Sequence, residues 1–367
     1  MEKSLIVDFL VDRKGAIHEQ FEVETPMILR ETRIPTLKDK RLIAIPAFVN
    51  GHVHSADFKL IGQGYGKNTS ELVGSKGLKK ELLSRMPIVE QKHAIKRFIR
   101  KSIAEGSFII FDFREGGLEG SRIAREAREE EKEKEEVQYF VLGRTSDVDE
   151  ITQIRNWADG IGIPDATRWT RHAIEEMVER AKDLDLFTAI HVSETKKTRN
   201  KFLEREGESD IEFSLDLGID MLVHLTHATQ RDLELLLRSE AIPVFCPRSN
   251  LFLSNGVPPV SRFLEKNAPF LLGTDNAFIS SPNLFREADF LARITKEKKE
   301  EYLQQIFQAL TGTHPKLVDR LSKRLPAFRH KQYLILNYPN ELDKEDLFAW
   351  VVLHAHPGKL IGYFRSN

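Results

Sequence analysis

Residues 44–58 read AIPAFVNGHVHSADF, an apolar run that ends in two histidines one residue apart. In a strand, side chains two apart share a face, so His52 and His54 would stand side by side while Val53 turns the other way. Two imidazoles on one face can grip a metal. A chain with 12 histidines in 367 residues carries roughly 0.4 His-x-His pairs by chance. A second pair is indeed present, His354 and His356 in LHAHP. The first pair therefore gains meaning only from what the rest of the chain supplies.

Working outward from it, LIAIPAFVN (42–50) is the first of eight short apolar runs. The others are SFIIFDF (107–113), VQYFVLG (137–143), GIGI (160–163), FTAIHV (187–192), MLVHLTH (221–227), IPVFC (242–246) and PFLLGTD (269–275). Between them lie helix-like stretches such as PIVEQKHAIKRFIRKSIAEG (87–106), with apolar residues at helical spacing and a Gly stop, and SRIAREAREEEKEKEEV (121–137). Strand-helix alternation calls for a parallel sheet, and eight units over about 270 residues suit an α/β fold of the closed, TIM-like (β/α)8 kind. A doubly wound open sheet is the runner-up, but no Gly-rich dinucleotide fingerprint follows the first strand. The ends read differently. SLIVDFLV and IHEQFEVET near the start, and KQYLILNYP, FAWVVLHAH and KLIGYF in the tail, are strand-like runs separated by turn residues. We expect a barrel over 42–329 and one small β-sandwich-like subdomain built from 1–41 and 330–367. The run EEEKEKEE (129–136) reads as a solvated helix end.

Composition narrows the function. Lys+Arg (55) and Asp+Glu (56) nearly cancel to a formal net charge of -1, so no general field draws the chain to nucleic acid or anionic lipid. Small-molecule chemistry is the better expectation. The single cysteine, Cys246, excludes an intrachain disulfide. The opening MEKSLIVDFLVDRKG breaks its apolar run at Asp8, and no stretch has the length of a membrane span. A soluble, cytoplasmic protein is expected.

Placed on the strands, the chemistry-bearing residues converge. His52 and His54 close strand 1, His191 lies near the end of strand 5, His224 and His227 lie in strand 6, and Asp275 closes strand 8. Barrel enzymes build their sites at C-terminal strand ends, and imidazole with carboxylate is a ligand set for zinc or ferrous iron. A lone histidine at such a place is more often a packed core residue. Several polar residues on the rims of separate apolar strands, however, are costly to bury without a shared partner, and a metal is that partner.

PAFVNGHVHSADF, HVSET, LVHLTHAT, CPRSNLFLSNG and LLGTDNAF, in this order, resemble the amidohydrolase superfamily, specifically its cytosine deaminase and triazine chlorohydrolase-like branch. The likeness covers most of residues 42–290. It implies one metal held by His52, His54, His191 and Asp275. It assigns His224 to the attacking water or the substrate, with His227 as the other candidate on that strand. It also implies that Glu194, three residues after His191 in HVSE, carries protons between the attacking water and a ring nitrogen. Metal binding lowers the pKa of water from 15.7 toward about 7, and a nearby carboxylate can move the released proton, typically worth 10²–10⁴ in rate. The two-metal relatives bridge their ions with a lysine from strand 4, and strand 4 here, WADGIGIPD, has none.

Arg114 and Glu115 after strand 2, Arg144 after strand 3, Arg248 and Asn250 after strand 7, and Asn276 beside Asp275 are candidate substrate contacts, although arginines at strand ends also brace loops. Cys246 has no neighbouring base and reads as core, and the chain lacks the Pro-Cys-x-x-Cys signature of the other zinc deaminase design. His354 and His356 read as structural. The long loop 55–87 reads as a lid. The resulting expectation is a hydrolytic deaminase with one divalent metal, zinc or else iron, acting on a heterocyclic nucleobase- or nucleoside-like amine, as monomer or homodimer. The alternatives are cleavage of another C–N or a C–Cl bond by the same apparatus, and a non-catalytic scaffold, which would have no need of four ligands.

Overall fold

Val-, Ile- and Phe-rich runs that are apolar on both faces suit strands covered on both sides, the environment of a parallel sheet. In a computed structural model, which describes residues 5–23, 27–29, 40–74, 76–132, 136–145 and 147–366, they form such a sheet. After β1 (Leu5–Val11), β2 (Ile17–Val23), β3 (Met27–Leu29) and β4 (Arg41–Pro46), the parallel strands are β5 (Phe48–His54), β6 (Ser107–Arg114), β7 (Gln138–Gly143), β8 (Gly160–Ile163), β9 (Phe187–Val192), β10 (Met221–His224), β11 (Ile242–Phe245), β12 (Leu271–Leu272) and β13 (Asp275–Asn276). Leu271 and Leu272 pair with Val244 and Phe245, whereas Asp275 and Asn276 pair with Val53 and His54. The short stretch 271–276 thus touches both edges and closes the barrel. Gly273 lets it pass, because a Cβ there would lie 2.8 Å from His52 Cβ and 3.0 Å from Cys246 Sγ.

Alternation divides the strand residues between two cores. Val49, Phe111, Phe140, Phe187, Val223, Val244 and Leu271 belong to one apolar cluster, with Phe111 and Phe140 stacked at 5.1 Å between ring centroids. Ile110, Val141, Ile190, Leu222 and Phe245 belong to the other, with the surrounding helices. The amphipathic helix Pro315–Arg324 adds Leu317 and Leu321 to the first cluster. Its Arg320 donates to Ala241 O just before β11, and its Arg324 pairs with Asp220 just before β10. It therefore covers the N-terminal end of the barrel and leaves the C-terminal end for chemistry.

The chain ends form one six-stranded sheet, in the order β2-β1-β4, then β14 (Gln332–Tyr338), β15 (Leu360–Arg365) and β3. Two expectations need correction. The run 42–50 is two strands, not one. Residues 41–46 pair with β1 and β14 in the end sheet, and the barrel strand starts only at Phe48, after the break at Ala47. FAWVVLHAH is not a strand: Leu347–Leu353 is a helix whose buried Leu347, Trp350 and Val351 have helical spacing, and Phe348 sits 5.0 Å from Phe307 on the helix Glu301–Thr311. Its β-branched valines read as strand, but packing against helices decided the outcome. The helix expected over 121–137 is formed over Gly117–Glu129, and residues 133–135 of the charged run lie outside the described residues.

The segment after β5 carries a 3-10 turn, Ser55–Leu60, and two helices, Thr69–Val73 and Leu78–Arg85. Its Leu60, Leu72 and Met86 pack on Leu253 and Phe278, which follow β11 and β13. That small separate core lays the segment across the C-terminal mouth. Among the described residues no helix is long and apolar enough to cross a membrane.

Candidate active site

The strand ends bring four histidines and an aspartate into one buried cluster. Ring centroids lie 4.9 Å apart for His52 and His54, 4.7 Å for His52 and His191, and 4.8 Å for His191 and His224. Asp275 Oδ1 is 3.2 Å from His52 Nε2 and 3.4 Å from His54 Nε2. Two sets of potential ligands result, His52 with His191 and His224, and His52 with His54 and Asp275, the ligand atoms of each lying within 4.8 Å of one another. The chain bends where it delivers them. Ser193 (φ 45), His224 (φ 79) and Asp275 (φ 58) occupy the left-handed region at the strand exits, a conformation costing non-glycine residues about 1–3 kcal/mol that tends to be kept where function uses it.

The electrostatics of these groups are compatible with holding a cation. Burial pushes the His52 imidazole down to about 3 and the His191 imidazole well below its usual range, so both are neutral and offer a lone pair. Burial works to raise the Asp275 carboxyl, but the hydrogen bond from His52 and the neighbouring His224, His52 and His54 outweigh it and hold the carboxyl far below the ordinary carboxylate range. His191 Nε2 and His52 Nδ1 are buried and have no hydrogen-bond partner among the described residues. Orphaned ring nitrogens beside an ionised carboxylate are unfavourable alone and fit a divalent cation. The donor set of neutral imidazoles and one carboxylate is that of a mononuclear site, and no lysine stands on β8.

Around this centre other side chains fix orientation. His54 Nδ1 lies 2.9 Å from Phe113 O and 2.8 Å from Glu115 Oε1, leaving Nε2 for the centre. Against burial, the Glu115 carboxylate raises the His54 imidazole. Ser249 donates to Asp275 Oδ2, and His224 Nδ1 meets Asn250 Oδ1 at 3.0 Å. Glu194 Oε2 lies 3.8 Å from His224 Nε2, and its Oε1 accepts from Asn255 Nδ2 at 3.0 Å. Burial raises the Glu194 carboxyl above its ordinary value.

The remaining sequence-based candidates spread out. Glu115 joins the cluster through His54 and also accepts from Lys79 at 2.6 Å. Asn276 accepts from Lys79 at 2.8 Å. Arg144 comes to 4.0 Å of Glu115. Arg114 donates to Gly120 O and to Gln91, and Arg248 pairs with the buried Glu287 at 3.1 Å, both bracing contacts. His227 is half-buried, and its backbone N–H donates to Ser193 O. Cys246 is buried and its thiol pushed well up. His354 and His356 are exposed, at the end of the helix Leu347–Leu353 and in the turn after it. Three contributors went unnoticed in the sequence: Lys79, buried between Asp57 (2.9 Å), Glu115 and Asn276, Ser249, and Asn255. Lys79 belongs to an undistinguished KGLKKEL run, whereas Asn255 stands in an Asn-Gly step, a turn signal that marks a shaped backbone.

A parallel barrel with a buried cluster of imidazoles and a carboxylate at its C-terminal mouth defines a metal-dependent hydrolase of the TIM-like kind. The chain belongs to the amidohydrolase family, whose model matches residues 43–313. A protein of Methanothermobacter thermautotrophicus with a provisional aminohydrolase name is 33% identical over 281 residues, 72% of this chain and 71% of that one. The 5-methylthioadenosine/S-adenosylhomocysteine deaminase of Caldanaerobacter subterraneus subsp. tengcongensis is 33% identical over 189 residues, 48% of this chain and 44% of that one. In fold, the guanine deaminase of C. acetobutylicum, solved with guanine in its active site, superposes with a TM-score of 0.76 at 15% identity, covering 99% of both chains.

Proposed function

We propose that the chain is a hydrolytic deaminase that releases ammonia from a heterocyclic amine of the nucleobase or nucleoside kind. The observation that carries this reading is Glu194, a carboxyl raised by burial that stands 3.8 Å from His224 at the edge of the ligand cluster. The relatives named as deaminases agree with it. His52, His54, His191 and Asp275 would hold one divalent metal, zinc by the chemistry of the donors. When bound, that ion supplies the Lewis acidity that makes water nucleophilic near neutral pH.

The chain's own residues supply the rest. His224, fixed on its Nδ1 side by Asn250, presents Nε2 to the attacking water or the ring substituent. Glu194 accepts one proton from the attacking water and passes it to a ring nitrogen, then takes the proton of the hydroxyl left on the ring carbon and gives it to the amino group, which departs as ammonia as the carbonyl forms. Its raised pKa keeps the neutral acid populated at higher pH than an ordinary glutamate, which suits a group that must both take and give a proton. Arg144, Glu115, Asn276 and the half-buried His227 stand around the mouth as candidate substrate contacts.

Purified protein supplied with zinc should release ammonia from at least one member of a panel of guanine, adenosine, 5-methylthioadenosine and S-adenosylhomocysteine. Chelation should abolish the release and zinc should restore it. Chloride release from a chlorinated triazine without ammonia release from any amine would replace deamination by dehalogenation. No product from either class would overturn the reading.

A further inference from the structure

Three site groups are held by one short segment, the helix Pro247–Phe252 and its exit. Ser249 donates to Asp275, Asn250 meets His224, and Asn255 donates to Glu194. Asn255 differs from the other two in having a second side-chain partner. Its Oδ1 accepts from Thr69 Oγ1 at 2.6 Å, and Thr69 opens the helix Thr69–Val73 of the segment laid across the mouth. Asn255 is nearly buried, at 8% exposure. Its backbone is pinned by Asn255 N–H donating to Asn250 O at 2.8 Å, one residue after Ser254 in the left-handed region (φ 59). The Glu194 contact fixes the amide's orientation, because a flipped Asn255 would turn its oxygen toward the Glu194 carboxylate, leaving Oδ1 as the atom that faces Thr69 Oγ1.

We propose that Asn255 is a positioning residue for Glu194, and that through Thr69 it makes the carboxylate's orientation depend on the seating of the segment over the mouth. One face of the Asn255 amide holds the proton carrier and the other reads whether the cover is in place. The apolar contacts of Leu60, Leu72 and Met86 with Leu253 and Phe278 bring Thr69 to Asn255, and the Thr69–Asn255–Glu194 line then sets the group that handles the proton. With the cover lifted, Glu194 keeps its donor but loses the constraint that aims it. A bound ring under the seated cover thus meets an aligned carboxylate, and an open site does not, which ties proton transfer to closure over the substrate.

This inference rests on the deaminase reading, and the test separates the two. With 5-methylthioadenosine as probe, Asn255→Ala should lower kcat by about ten- to a hundredfold, the scale of a misplaced catalytic group, with KM and metal content little changed. Asn255→Asp, which keeps the shape but removes the donor, should do the same should the alanine variant fold poorly. Thr69→Val should lower kcat in the same direction and Thr69→Ser should restore it. In a Glu194→Gln background Asn255→Ala should add little, because the group it positions no longer carries a proton. Hydrogen exchange supplies a readout independent of turnover: amides of 69–73 should exchange faster in Asn255→Ala than in the parent. An unchanged kcat in Asn255→Ala, a multiplied loss in the double variant, or unchanged protection of 69–73 would overturn the positioning role. A Glu194→Gln protein that turns over normally would instead overturn the reading beneath it.

Discussion

Glu194→Gln should keep the metal and the fold but lose at least about a hundredfold in ammonia release, since proton transfer by a positioned carboxylate is typically worth 10²–10⁴ in rate. The substitution is nearly isosteric, and its side-chain oxygen can still accept from Asn255 Nδ2, which lies 3.0 Å from Glu194 Oε1. What disappears is a group able to hold a proton at one stage and release it at the next. Because the loss falls on a step beyond binding, kcat should drop while KM moves far less. Steady-state kinetics with an assay for ammonia decides it. A glutamine variant with near-normal turnover would remove the deaminase reading and leave a metal-dependent hydrolase acting on another bond.

The second large effect is expected at the ligands. Asp275→Ala removes the carboxylate that faces both His52 and His54, at 3.2 and 3.4 Å, and with it the one anionic group among the proposed ligands. Loss of an outer partner of a metal ligand commonly costs about 10–100-fold in affinity, so loss of a direct ligand should exceed that range. His52→Ala should behave alike. His354→Ala and His356→Ala should leave metal content untouched, because both histidines are exposed and neither belongs to the histidine cluster at the strand ends. Metal content after dialysis against a weak chelator makes the comparison, and tail variants that lose metal as readily as the barrel variants would contradict the assignment of ligands.

Much of this was legible in the sequence, for physical reasons that differ by element. The barrel strands announce themselves because each is apolar on both faces and short, and the spacing of the intervening helices leaves little choice of topology. The histidines that the fold gathers into one cluster stand out because imidazoles at the ends of such runs have no cheap alternative partner. The run 42–50 misled because Ala47 separates two strands of different sheets without any Gly or charge to mark the change. The run at 348–356 misled because Val351 and Val352 carry a strand preference that burial against two helices overrides. Lys79 and Ser249 could not be found by pattern, and the Asn-Gly step at Asn255 marks a turn but not its contacts. Their roles come from contacts between positions far apart in the chain, such as Lys79 to Asn276 and Thr69 to Asn255, and no local period records them. Arg114 and Arg248 show the reverse: strand-end arginines that look like substrate contacts and are occupied by Gln91, Gly120 and Glu287.

The most direct test of the centre itself is its metal count. The proposed ligands are three imidazoles and one carboxylate, and no lysine stands on β8 to bridge a second ion, so elemental analysis of the purified chain after loading with zinc and removal of excess should give close to one transition metal per chain. Two tightly held ions per chain, or none, would contradict it.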